Sequence, residues 1–111
     1  MKKDPKVYLL HIAEAIDAIE HNIQSLTEQQ FYDNEVVQGF VERILEIIGE
    51  ATKRIPDELK KQYPSIPWAD MAGMRDVLIH EYEDVDSIIV WDTVTQHLLP
   101  VKNDLKKILT S

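Results

Sequence analysis

At 111 residues and 44% apolar content, the chain is sized for a single domain, residues 1–111, with a modest core. It contains no cysteine, which excludes disulfides and thiolate metal sites. Its net charge of −8 argues against non-specific coating of nucleic acid, which requires clustered Lys and Arg to displace counterions.

The acidity still leaves room for a local cationic cleft, and it suits a partner with a basic surface. The basic start Met1-Lys2-Lys3 is interrupted at once by Asp4 and Pro5, so no signal peptide is read there. No apolar run approaches bilayer length. A soluble cytoplasmic protein without membrane contact is expected.

In chain order, Val7, Leu9, Leu10, Ile12, Ala13, Ile16, Ile19 and Ile23 recur at helical spacing and predict an amphipathic helix over 6–25. Thr27-Glu28-Gln29-Gln30 has the form of a capping box and predicts a short helical turn. Asp33 and Asn34 are candidate caps for the next helix. That helix carries Val36, Val37, Phe40, Val41, Ile44, Leu45, Ile47, Ile48 and Ala51. So wide a stripe predicts a position at the centre of a bundle.

Pro56-Asp57-Glu58-Leu59 ends it and opens a short helix. Pro64 and Pro67 bracket a turn, with Pro67 suited to the first position of the helix that follows. After Tyr82, the run Glu83-Asp84-Val85-Asp86 reads as a break, with Asp86 a candidate cap. The helix beyond it holds Ile88, Ile89, Trp91, Val94 and Leu98, and Pro100 is expected to kink or interrupt it. Val101, Leu105, Ile108 and Leu109 carry an apolar face to the end. No strand and no repeat are read. Short links between long helices predict an all-α fold, an antiparallel up-and-down bundle of four to five main helices.

The chemistry concentrates between Trp68 and Tyr82. Arg75 and Tyr82 stand seven apart and share a stripe if the helix continues that far, while Asp76 and His80 stand four apart and are within reach of each other. A carboxylate beside an imidazole orients the ring and favours its protonated form. Arg75 and His80 are five apart, a poor spacing for direct contact but a workable one for flanking a phosphate, especially if the helix frays near His80. The guanidinium fork suits phosphate oxygens, and histidine suits proton transfer near neutral pH.

Together they fit metal-independent phosphodiester cleavage, in which a ribose 2′-hydroxyl attacks the adjacent phosphorus. One histidine serves poorly as both base and acid; a two-fold dimer supplies a second. The blander alternatives are a solvated ion-pairing face for Arg75 and Asp76, a helix-end histidine, and an interfacial tyrosine. Gly73 costs helix stability, which close helix packing or close approach of a second subunit would explain.

The surrounding residues carry a resemblance. Ile44-Leu45-Glu46-Ile47-Ile48-Gly49-Glu50-Ala51-Thr52-Lys53-Arg54-Ile55-Pro56, then Ile66-Pro67-Trp68, then Ala72-Gly73-Met74-Arg75-Asp76-Val77-Leu78-Ile79-His80-Glu81-Tyr82, and finally Ile89-Val90-Trp91, resemble the HepT-like branch of the HEPN domains. This branch supplies the toxin half of prokaryotic toxin–antitoxin pairs. The resemblance covers nearly the whole chain.

It implies a HEPN-like helical bundle that forms a homodimer, and a metal-independent endoribonuclease acting on RNA at the dimer cleft. It matches Arg75 and His80 to the catalytic pair, and Asp76 to a supporting polar position that is often asparagine in relatives. It also implies an antitoxin of the minimal nucleotidyltransferase type, MntA-like, that transfers AMP to the motif tyrosine, here Tyr82. This chain has no Gly-Ser nucleotidyltransferase signature, so it would need no cofactor of its own; ATP and Mg belong to the partner. The alternative is a non-catalytic nucleotide- or phosphate-binding subunit of a nucleotidyltransferase complex. A purely structural helical dimer is the third reading.

Overall fold

A computed structural model describes residues 4–80 and 87–110, the side chains of residues 5 and 75–80 excepted. The regular structure of the described residues is helical, mostly α, with no strand among them. The helices are α1 (Pro5–Ile23), α2 (Glu28–Tyr32), α3 (Glu35–Lys53), α4 (Asp57–Gln62), α5 (Trp68–His80), α6 (Ser87–Asp92) and α7 (Lys102–Thr110). α3 packs against both α1 and α5, and α7 packs back on α1. This is the predicted helical bundle, with α3 near its middle.

The helix starts follow from local chemistry. The Asp4 carboxylate accepts from the Lys6 amide at 2.9 Å, with Pro5 in the first turn, where its missing N–H costs nothing. The Thr27 capping box is complete: Thr27 Oγ1 accepts from the Gln30 amide at 3.1 Å, and Gln30 Oε1 accepts from the Thr27 amide at 2.9 Å. Of the two candidate caps for α3, Asn34 takes the role, its Oδ1 accepting from the Val37 amide at 3.0 Å. Asp33 instead closes α2. Pro67 sits one position before α5 rather than inside it, and its carbonyl accepts from the Met71 amide at 3.0 Å.

The core joins Leu9, Ile12, Ile16 and Ile19 of α1 to Val41, Leu45 and Ile48 of α3, Met71 of α5, and Leu105 and Ile108 of α7. Burial of this apolar surface is the main stabilising contribution. The wide stripe of α3 is covered only in part. Val36 is 84% exposed, Ile47 40% and Phe40 39%, so the stripe reaches past the core onto the surface.

Between α6 and α7 the chain does not simply kink. Thr93–Leu98 forms a π-helical turn, in which the Leu99 amide donates to the Val94 carbonyl, and a 3-10 turn over Leu99–Val101 follows. Pro100 has no N–H to continue the α-helical ladder, so the backbone changes register on its approach. The Glu83–Asp86 break and the Asp86 cap lie outside the described residues. No described helix is long and apolar enough to cross a membrane.

Candidate functional site

α5 is positioned from its first residue. Trp68 is buried, and its Nε1 donates to the Tyr63 carbonyl at 3.0 Å and the Lys60 carbonyl at 3.1 Å. The indole thereby ties the end of α4 to the start of α5, adding a second donor to carbonyls that already accept the Tyr63 and Ile66 amides. One and two turns later, Met71 and Met74 are buried in the core. On α3, the buried Thr52 directs its hydroxyl to the Ile48 carbonyl at 2.7 Å, so it adds no unpaired polar atom to the interior.

Arg75, Asp76 and His80 all lie on this anchored helix, which stays helical through His80. Asp76 and His80 are one turn apart, as predicted. Arg75 and His80 are separated by about 140° around the helix and about 7.5 Å along it. The backbone of one chain therefore places them on different meridians. The contacts of the three side chains, and Tyr82 altogether, lie outside the described residues.

A cavity of about 380 Å³ opens beside α5, lined by Leu45 of α3, by Ala69, Asp70, Gly73 and Met74 of α5, and by Ile89, Val90, Thr93 and His97. Its floor is apolar, and Asp70 and His97 are exposed at its edge. Among the described residues, and apart from the helix's own backbone, nothing lies within 4 Å of where a Cβ on Gly73 would stand. Among the described residues, close packing does not explain this glycine. Asp70 and His97 were not legible as a pair, being 27 positions apart; the mid-helix glycine and the downstream Pro100 were the available signals.

On α3, burial pushes the Glu42 carboxyl above the usual range, and the neighbouring Glu46 adds to the effect. Among the described residues, no three His, Asp or Glu side chains are grouped to hold a metal ion.

The sequence matches the family described as Ribonuclease HepT-like over residues 12–108, a span that contains all of α5. The chain belongs to the HepT-like ribonuclease family. A HepT-like relative in Thermococcus cleftensis, named "Probable ribonuclease HepT", is 44% identical over 97% of this chain and 98% of its own length. A Methanocaldococcus jannaschii protein named "Putative RNase" is 39% identical over 97% of this chain and 89% of its own. A second protein of that organism, whose name joins gamma-glutamylcyclotransferase to "putative RNase", is 41% identical over 98% of this chain. The chain spans 49% of that relative's length. No solved structure matches the chain.

Proposed function

We propose that this HepT-like chain is a metal-independent endoribonuclease toxin of a type VII-like toxin–antitoxin pair, with Arg75 and His80 as its catalytic residues. The supporting observation is membership of the HepT-like family across 12–108, with the Arg75-x4-His80 element on the anchored helix inside that span. The 140° offset between the two positions favours a site completed by a second copy, because one regular helix turns them apart. In a two-fold dimer, each protomer contributes one guanidinium and one imidazole to a shared cleft.

In that cleft, one His80 takes the proton of a ribose 2′-hydroxyl as its oxygen attacks phosphorus. The bond from phosphorus to the 5′-oxygen breaks, and the partner protomer's protonated imidazole gives that leaving oxygen a proton. The products are a 2′,3′-cyclic phosphate and a 5′-hydroxyl. Arg75 stabilises the charge that builds on the phosphoryl oxygens. Asp76, one turn before His80, orients the imidazole and supports its protonated form.

Control runs through Tyr82. An MntA-like nucleotidyltransferase antitoxin, using its own ATP and Mg, transfers AMP to the phenol: the tyrosine oxygen loses its proton and bonds to the α-phosphorus as the bond to pyrophosphate breaks. The adenylate adds bulk and negative charge two positions after His80 in sequence and repels the RNA backbone.

The test compares purified wild-type protein with Arg75→Ala and His80→Ala for RNA cleavage, and adds intact-mass analysis after co-expression with the antitoxin. Loss of cleavage in both folded variants, and an AMP adduct absent from Tyr82→Phe, are expected. An adduct that persists in Tyr82→Phe removes the control mechanism. Stoichiometric nucleotide binding without any RNA cleavage by the wild type favours a binding subunit instead.

A further inference from the structure

Resting on the ribonuclease reading, we propose that the cavity between α5 and the π-helical turn is a base subsite that holds a guanine of single-stranded RNA next to the cleaved bond.

Three observations carry it. The cavity, at about 380 Å³, falls within the size range of small-molecule sites, and its apolar floor suits the face of a planar ring. Gly73 lines the cavity from mid-helix at a cost in helix stability, and a Cβ there would enter open space among the described residues, so a larger side chain would extend into the cavity. Finally, the wall opposite α5 is the π-helical turn Thr93–Leu98, which sets Thr93 and His97 one turn apart on the same cavity. Such turns recur at functional sites because they widen the helix at a cost in backbone geometry.

The edge of the cavity selects the base. Asp70 is exposed where it lines the cavity, and a carboxylate has several acceptor lone pairs to offer a ligand. An ionised carboxylate accepts two parallel N–H donors. Guanine presents that pair on one edge, N1–H beside the exocyclic amine. Adenine and cytosine set an acceptor next to their amine, which a carboxylate repels. An acidic side chain in an RNA site makes sense when it reads a base edge and leaves the phosphates to other groups.

The backbone also places the subsite within reach of the chemistry. His80 stands seven positions after Gly73, on nearly the same meridian of α5 and about 10 Å further along.

The experiment measures cleavage of uridine pentanucleotides carrying a single guanosine, adenosine or cytidine, by wild type, Asp70→Asn and Gly73→Leu, with circular dichroism and dimer mass recorded for each. The wild type is expected to cut the guanosine substrate about tenfold faster than the others at limiting substrate, the scale of one bidentate base contact. Asp70→Asn reduces that ratio to below about threefold, and Gly73→Leu raises KM for the guanosine substrate by closing the cavity. Equal cutting of all three substrates by the wild type, or a guanosine preference that both folded variants retain, overturns the subsite while the ribonuclease reading stands. Loss of dimer mass in Gly73→Leu, with the guanosine preference unchanged in Asp70→Asn, overturns it too, and assigns the cavity to a second copy of the chain. No cleavage of any RNA by the wild type overturns the ribonuclease reading, and the subsite with it.

Discussion

The seam between α1, α3 and α7 and the seam between α5 and α6 are built to different ends. In the first, Leu9, Ile12, Ile16 and Ile19 interlock with Val41, Ile48 and Leu105, all almost completely buried. Lys102 then ties α7 to α1 by pairing with Glu20 and with Asp17, the latter at 3.0 Å. The second seam gives up packing. It has a glycine where alanine would favour the helix, a π-helical turn where an α-helix would bond better, and a cavity between them. Departures from local optimality of this kind gather where a protein does its work, and the rest of the fold supplies the stability they cost.

The contrast can be broken experimentally, beginning with the largest effect. Ile16→Ala, in the fully buried α1 stripe, should lower unfolding free energy by about 2–5 kcal/mol in a urea titration, whereas Ile89→Ala, at the half-open edge of the cavity, should change it by about 1 kcal/mol or less. Equal losses would mean that the two seams are packed alike. Gly73→Ala should stabilise the protein by about 0.5–1 kcal/mol, since the backbone is helical there and the added methyl enters open space. A fall in stability would place something against Gly73, such as a second subunit.

Two smaller effects concern charge. Hydrogen bonds from Lys102 to Glu20, and then to Asp17, hold its ammonium above the usual lysine range. A raised folded pKa stabilises fully below the ordinary value, and the contribution fades as pH rises through the folded one. Melting temperature should therefore fall between neutral and strongly alkaline pH by more in the wild type than in Lys102→Met. Glu42 has the opposite consequence at neutral pH. Its carboxyl is raised first by burial and then by Glu46, so the charged form is disfavoured in the folded chain. Glu42→Gln should raise the melting temperature slightly at pH 7, and the gain should vanish below about pH 4, where the unfolded carboxyl is also protonated.

Much of the fold was legible because its signals are local. Thr27 and Gln30 satisfy each other's backbone amides within four residues, and Asn34 caps α3 from the adjacent position. The helical spacing of Leu9, Ile12, Ile16 and Ile19 gave their burial correctly. What stayed hidden depends on partners distant in sequence. The exposure of Val36, Phe40 and Ile47 depends on how much of α3 its neighbours cover, which periodicity does not report. Pro100 announced an interruption but not that the backbone would pass through a π-helical turn first. Gly73 was legible as a cost, yet whether it faced a neighbour or open space required the packing of α3, α5 and α6 around it. The proposed catalytic pair, Arg75 and His80, came from the family resemblance of the sequence around them, while Asp70 and His97 come to line one cavity only in the folded chain.

The central claim is that His80 moves the proton in RNA cleavage. The most direct test incubates single-stranded RNA with equal amounts of wild type and His80→Ala in the presence of chelator, and reads both rate and product ends. The account predicts 2′,3′-cyclic phosphate and 5′-hydroxyl ends from the wild type, and a loss of about 10²–10⁴-fold in His80→Ala with the helical fold retained. Undiminished cleavage by the folded His80→Ala protein would contradict it.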